Sequence, residues 1–220
     1  MSNATLIIGE SGTGKSTAIE TLDSLETYVI NIIDKPLPFK GYKKFYRAAP
    51  DGDLKRNYLA TDNPAKIIEC IKAINANRLD IKVLVIDDFQ FIMANEYMRR
   101  ARERGFDKFA EIGQGAYLIF EAIKSLREDL SCFVLSHSVL RDDGTYGFKS
   151  IGKMLDNYIT VEAVFTNVLH TAIIDEKHMF ITQNDGKKIA KSPKGMFENK
   201  YIPNDLAYVN KCISDYANDN

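Results

Sequence analysis

Gly9-Glu10-Ser11-Gly12-Thr13-Gly14-Lys15-Ser16 follows the apolar run Ala4 to Ile8 and precedes a helical stretch reading from Lys15 to about Ser24. The spacing GxxxxGK[ST] between a strand and a helix is the context a phosphate-binding loop requires. Glycines let backbone N–H groups turn inward around anionic oxygens, and the helix start adds positive potential. Lys15 is placed to reach the β and γ phosphates, and Ser16 offers a hydroxyl to magnesium. Gly9, Glu10, Ser11, Gly12, Thr13, Gly14, Lys15, Ser16 and Thr17 are therefore the expected nucleotide-binding residues, with ATP and Mg2+ as cofactors. A glycine-rich turn without function is the plain alternative.

Working outward, Thr27 to Ile33 is a second β-rich run, which completes a β-loop-α-β opening. Residues 35–53 are rich in Pro, Gly, Lys and aromatics and read as an excursion before a short strand near Tyr58 to Thr61. Asn63 can cap a helix whose first turn holds Pro64, with Ile67, Ile68, Ile71 and Ile74 on one face. Val83 to Ile86 is the continuous apolar run of a parallel strand buried on both faces, and Cys132 to Leu135 is another. Between them Leu118, Ile119, Ala122, Ile123, Leu126 and Leu130 predict a helix from about Gly115 to Leu130.

After Tyr158 the pattern turns β-rich. Val168 to Ile174 and His178 to Thr182, split by Asp175-Glu176-Lys177, predict an antiparallel hairpin. Pro203 and Asn204 open a last helix with Leu206, Val209, Ile213 and Tyr216 on one stripe. The expected fold class is α/β, with a mostly parallel central sheet, an antiparallel β-rich C-terminal part and a final helix. A single domain spans 1–220, with the nucleotide-binding core in 1–165 and the hairpin and last helix in 166–220.

Composition agrees with such a domain. In 220 residues, 29 Lys+Arg stand against 30 Asp+Glu for a net charge of −1, and 45% are hydrophobic, which excludes fibre, coil and disordered-tail classes. No stretch approaches the roughly 20 apolar residues of a membrane span, and with the first strand beginning at once neither a signal peptide nor a membrane anchor is expected. Cys70, Cys132 and Cys212 are odd in number and lack zinc-ligand spacing, so reduced thiols and a cytoplasmic setting are expected.

A phosphate-binding loop needs an acid at the end of a buried neighbouring strand, and Val83-Leu84-Val85-Ile86-Asp87-Asp88 supplies one roughly 70 residues further on. Asp87 is the expected magnesium-side carboxylate, joining Ser16 at the metal. Two residues compete to orient the attacking water. Asp88 follows directly, and Asp34 closes the strand after the first helix; each has a bland alternative as a solvated acid or a turn residue.

GESGTGKST, VLVIDDFQFI, EIGQGAYLIFEAIKSL, CFVLSHS and KSPKGMFENKYIPNDL, in that order, resemble the short RecA-like ATPases of phages, proteins of recombination and single-strand annealing. The resemblance runs from about Thr5 to Val209, and its most specific part is the phosphate-binding loop. It implies a RecA-like P-loop core binding ATP at the C-terminal edge of the sheet. It also implies a homo-oligomer acting on single-stranded DNA in the host-cell cytoplasm, with a phage single-strand-binding or recombination protein as partner. In such a core the strand after the acidic one ends in a residue that senses the γ-phosphate, and His137 stands at that position between Ser136 and Ser138. A neighbouring copy often supplies a basic residue to the γ-phosphate. Lys187, Lys188, Lys191 and Lys194 are the candidates, in a segment that lacks the arginine some members carry there.

Arg99, Arg100, Arg102 and Arg104 crowd one segment ahead of Phe106 and Phe109, a composition suited to phosphates and stacked bases of a single strand. A solvated helix with two core phenylalanines fits the same residues. Lys149 and Lys153 follow a turn around Asp142-Asp143-Gly144 and form a second DNA-binding candidate, against the alternative of a plain hairpin. Two rival functions share the loop. A small-molecule or nucleoside kinase would use the arginines as a lid, and a nucleotide-gated interaction module would bind ATP without turnover.

Overall fold

The computed structural model describes residues 4–48, 56–150 and 160–219. Among them nine strands form one mixed, mostly parallel sheet between helical layers, so the chain is α/β. In chain order the strands are β1 (Ala4–Gly9), β2 (Thr27–Asn31), β3 (Tyr58–Ala60), β4 (Val83–Asp87), β5 (Ser131–Leu140), β6 (Tyr146–Phe148), β7 (Asn167–Ile174), β8 (Lys177–Ile181) and β9 (Tyr201–Pro203). Their spatial order is β3-β2-β4-β5-β1-β7-β8-β9, with β6 paired to the far end of β5. The six strands from β3 to β7 in that order run parallel, while β8, β9 and β6 are antiparallel to their neighbours.

The helices are α1 (Tyr42–Phe45), α2 (Pro64–Asn77), α3 (Gln90–Arg99), α4 (Asp107–Lys124), α5 (Val161–Val164) and α6 (Leu206–Asn218). Strand β1 shows how the sheet is held. All six of its residues are buried, and alternate side chains enter opposite cores. Leu6 and Ile8 pack with Ile67, Ile71 and Ile119 of α2 and α4, whereas Ile7 packs with Ile19, Val209 and Ile213 on the α6 face. Continuous apolar runs are what a sheet covered on both faces demands.

Several expected boundaries hold for the expected reason. Asn63 Oδ1 accepts from the N–H groups of Ala65 (3.0 Å) and Lys66 (3.2 Å), with Pro64 in the first turn of α2. The hairpin turn between β7 and β8 places Asp175 (φ 48°) and Glu176 (φ 62°) in the left-handed region, as a two-residue turn matching strand twist does.

Other boundaries move. The expected helix from Lys15 to Ser24 is a short 3-10 segment, Ser16–Thr21, where the Thr21 hydroxyl turns back to the Ala18 carbonyl (2.8 Å). The helix expected over Gly115 to Leu130 is α4, shifted toward the N-terminus, and Leu118 is exposed on it. Leu126 and Leu130 stay buried beyond its end, where the Arg127 guanidinium takes the carbonyls of Ile74 and Asn75 (3.1 Å each), Arg78 (3.0 Å) and Ile81. Pro203 belongs to β9, so the last helix starts after Asp205, whose carboxylate accepts from Tyr208 N–H (2.8 Å). The division at 165/166 falls inside the sheet, because β7 pairs parallel with β1.

Candidate functional site

Strands β1, β2, β4 and β5 end at the same edge of the sheet, and the loops that follow them meet around a cleft of about 220 Å³. Ser11, Gly12, Gly14, Lys15, Ser16 and Thr17 of the glycine-rich loop form one wall. Lys35, Pro38, Asp88, His137 and His178 form the other. A second cavity of similar size, about 230 Å³, opens beside Ala4 and Phe120 at the opposite end of β1 and holds none of the predicted site residues.

Two glycines of the loop are dictated by geometry. A Cβ on Gly9 would overlap the Thr171 hydroxyl, because β7 lies directly beside the end of β1. Gly14 has φ +95°, and a Cβ there would come within 3.1 Å of the His178 ring and 3.2 Å of Asn204 Oδ1. The loop is also stitched to β7. Thr13 Oγ1 lies 2.5 Å from Thr171 Oγ1 and donates to the Glu10 carbonyl (2.7 Å).

Lys15 folds back over the loop, its Nζ donating to the carbonyls of Gly9 (2.9 Å) and Glu10 (2.7 Å). Burial lowers its ammonium to about 8, against the pull of Asp88 and Asp87. Ser16 Oγ donates to Asp87 Oδ1 (2.8 Å), so two residues far apart in sequence meet as the sequence reading expects. Asp87 is fully buried, and burial together with the neighbouring Asp88 charge raises its carboxyl to about 6. Its Oδ2 is buried without a hydrogen-bond partner among the described residues. A hydroxyl and a buried carboxylate with one free oxygen suit a hard divalent cation, which binds few protein oxygens and completes its shell with phosphate and water.

Asp88 and Asp34 separate clearly. Both have left-handed backbones, φ 63° and φ 53°, a region aspartate enters more readily than most residues. Asp88 turns into the cleft, buried, where Lys35 forms an ion pair with it and His137 Nε2 lies 3.5 Å from Oδ1. Burial would raise its carboxyl, yet the hydrogen bonds from His137 and Lys35 hold it below the usual aspartate range. Asp34 accepts instead from Tyr58 Oη (3.2 Å) and is not part of the cleft wall.

His137 is set from behind. Gln90 Oε1 accepts from both the Ser136 hydroxyl (3.0 Å) and His137 N–H (3.1 Å), and the Phe91 ring meets the imidazole edge-on at 6.2 Å. Thr171, Lys35, Pro38, Gln90 and His178 carry no motif of their own; only the strand order brings them to the loop. The signal available for Lys35 was its place directly after Asp34 at the end of β2.

The arginine segment is built differently. Arg99 pairs with Asp62 (2.7 Å) and Glu96 (2.9 Å), and Arg100 with Glu103 (2.6 Å) and Glu111 (2.7 Å). Arg102 and Arg104 are exposed, as is Phe106. The segment joins α3 to α4, and none of its arginines lines the cleft.

Lys149 is exposed, and its N–H donates to the His137 carbonyl (3.0 Å), so the turn after β5 is a hairpin. Glu162 anchors that hairpin by accepting from Arg141 Nη2 (2.6 Å) and Phe148 N–H (2.7 Å). Lys153 lies outside the described residues. Of the lysines considered for a neighbouring copy, Lys188 directs Nζ to the Thr171 carbonyl (3.4 Å) and Lys191 pairs with Val168, and Lys187, Lys188, Lys191 and Lys194 are absent from the cleft wall.

No family model matches the chain, and no curated protein matches it. Among the described residues no helix is long and apolar enough to cross a membrane.

Proposed function

We propose that the chain is a Mg-ATP-hydrolysing, RecA-like ATPase acting on single-stranded DNA. The observation that carries the first half is the meeting of Lys15, the Ser16–Asp87 pair and the Asp88–His137 pair around one cleft. These groups supply what phosphoryl transfer to water asks of a protein: cations at the phosphates, an anchor for a divalent ion and a polar group beside the nucleophile.

In this reading the triphosphate draws Lys15 off the Gly9 and Glu10 carbonyls onto the β and γ phosphates. Ser16 and Asp87 would hold Mg2+, which would neutralise charge on the phosphates when bound. Asp88 orients the attacking water. The water oxygen forms a bond to the γ-phosphorus as the bond to the β–γ bridging oxygen breaks, ADP departs and the proton passes through Asp88 to the released phosphate. His137, on β5 where its pairing with β1 stops, keeps Nε2 toward Asp88 and so helps to hold that carboxylate in place for the water.

The DNA half rests on the resemblance to phage RecA-like ATPases and on the exposed basic side chains Arg102, Arg104 and Lys149, the last bonded through its N–H to His137. A phage recombination or single-strand-binding protein is the partner this implies. A kinase lid is less well supported, because Arg99 and Arg100 are already engaged by four acids.

Phosphate release from Mg-ATP, measured with and without single-stranded oligonucleotide, tests the proposal. Release accelerated by DNA is expected. Tight ATP binding without release would establish a binding module instead, and phosphate recovered on a small acceptor would establish a kinase.

A further inference from the structure

The cleft carries a second ammonium that no motif announces. Lys35 sits opposite the phosphate loop with its side chain 41% exposed, while the carboxylate it grips, Asp88, is only 2% exposed. Its backbone is fixed: the buried Asn31 amide donates to the Lys35 carbonyl (2.8 Å), and the preceding Asp34 takes the left-handed turn that aims the next residue inward. The lysines of 187–194 leave the cleft of their own chain without a second cation, whereas Lys35 already lines it.

From this geometry we infer that Lys35 is the γ-phosphate-binding cation, supplied by the same chain and latched onto Asp88 until a triphosphate enters. The inference rests on the reading of the cleft as an ATP site. An ammonium between a single carboxylate and a γ-phosphate of higher charge is drawn to the phosphate. Asp88 is not stranded by the exchange, since His137 Nε2 remains 3.5 Å from its other oxygen. Release of Lys35 leaves Asp88 Oδ2 open to accept a hydrogen bond from the attacking water. A diphosphate ends short of Lys35 and leaves the latch closed, so the pair distinguishes ATP from ADP.

Calorimetric titration of the whole protein with Mg-ADP and with a non-hydrolysable Mg-ATP analogue tests this without depending on turnover. Lys35→Ala is expected to weaken the analogue by about tenfold or more, the loss of one charge-assisted hydrogen bond, and to change ADP affinity by less than about twofold. Asp88→Asn, which removes the latch and leaves the lysine, is expected to bind the analogue as tightly as the native protein or more so. Should Lys35→Ala fail to fold with Asp88 unpaired, Lys35→Ala/Asp88→Asn removes both charges and carries the same expectation of selective analogue loss. Equal losses for both nucleotides, or none, would overturn the assignment of Lys35 alone, as would analogue weakened by Asp88→Asn. A native protein that binds neither nucleotide would remove the ATP reading itself.

Discussion

The cleft beside the glycine-rich loop and the arginine segment both concentrate charge in few residues, yet they are opposite kinds of structure. In the cleft, partners come from far apart in the chain: Ser16 meets Asp87, and Thr13 meets Thr171. Charges there are buried and one carboxylate oxygen is left open. In the arginine segment, Arg99 pairs with Glu96 and Arg100 with Glu103, each three residues away, and Asp62 and Glu111 join them, all with side chains partly or fully open to solvent. Long-range convergence of buried charge requires the fold to hold it against desolvation, whereas short-range surface pairs form at little cost and contribute little.

The largest expected effect breaks the cleft chemically while sparing the fold. Lys15→Ala and Asp87→Ala are each expected to reduce phosphate release by at least about a hundredfold, since each removes a charge acting on the phosphates or their metal. Asp87→Ala also removes a buried carboxyl raised to about 6, so the nucleotide-free variant should melt no lower than the native protein at neutral pH. A variant turning over at near-native rate, with native circular dichroism, would sink the active-site assignment.

A mechanical break should come next in size. Gly9→Ala forces a methyl group onto the Thr171 hydroxyl and is expected to cost on the order of 3 kcal/mol in urea unfolding. Gly9→Ala/Thr171→Ala should regain part of that loss. No recovery in the double variant would show that the two strands are not held apart by this contact.

What was legible in the sequence follows the same division. The strand before the glycine-rich loop, the acid that ends β4 and the capped start of α2 are local features, so spacing and residue type sufficed to place them. Thr171 and Gln90 meet Thr13 and His137 only through the strand order, which places β5 between β1 and β4 and sets β7 beside β1. Periodicity cannot report that order. It also misplaced α4, because Leu126 and Leu130 continue an apolar spacing past the helix end, where Arg127 closes the carbonyls of α2. His137 stood out only through resemblance, and Asp34 looked equivalent to Asp88 until the backbone turned one toward Tyr58 and the other into the cleft.

His170 sharpens the comparison with a buried ionisable group outside the cleft wall. It is fully buried on β7, and its Nδ1 donates to the Thr171 carbonyl (3.0 Å) while Nε2 has no hydrogen-bond partner among the described residues. Burial lowers its pKa from 6.5 to about 4. The unfolded chain therefore takes up a proton as pH falls below about 6.5 while the fold resists until about 4, so stability is lost across that window as pH falls. The shift corresponds to roughly 3 kcal/mol. His170→Phe should flatten the dependence of the unfolding free energy on pH between 6.5 and 4. An unchanged profile would assign the acid loss to other groups.

The smallest expected effect decides what the arginine segment does. Arg99 and Arg100 are engaged by acids, while Arg102 and Arg104 are exposed. Each arginine that neutralises a phosphate of a single strand contributes about 0.7 to the slope of log affinity against log salt. If the segment contacts DNA, Arg102→Ala and Arg104→Ala should each flatten that slope by about this amount, and Arg99→Ala and Arg100→Ala should leave it nearly unchanged, because their charge is already neutralised. ATP affinity should not move in any of the four. Titration of a labelled oligonucleotide at several salt concentrations reads all of this directly. Flattening by all four variants would mean that DNA displaces Glu96, Glu103, Glu111 and Asp62, making the ion pairs a gate on the segment. A slope unaltered by any of them would shift the contact to Lys149 and its hairpin, which hangs from His137 and so from the cleft itself.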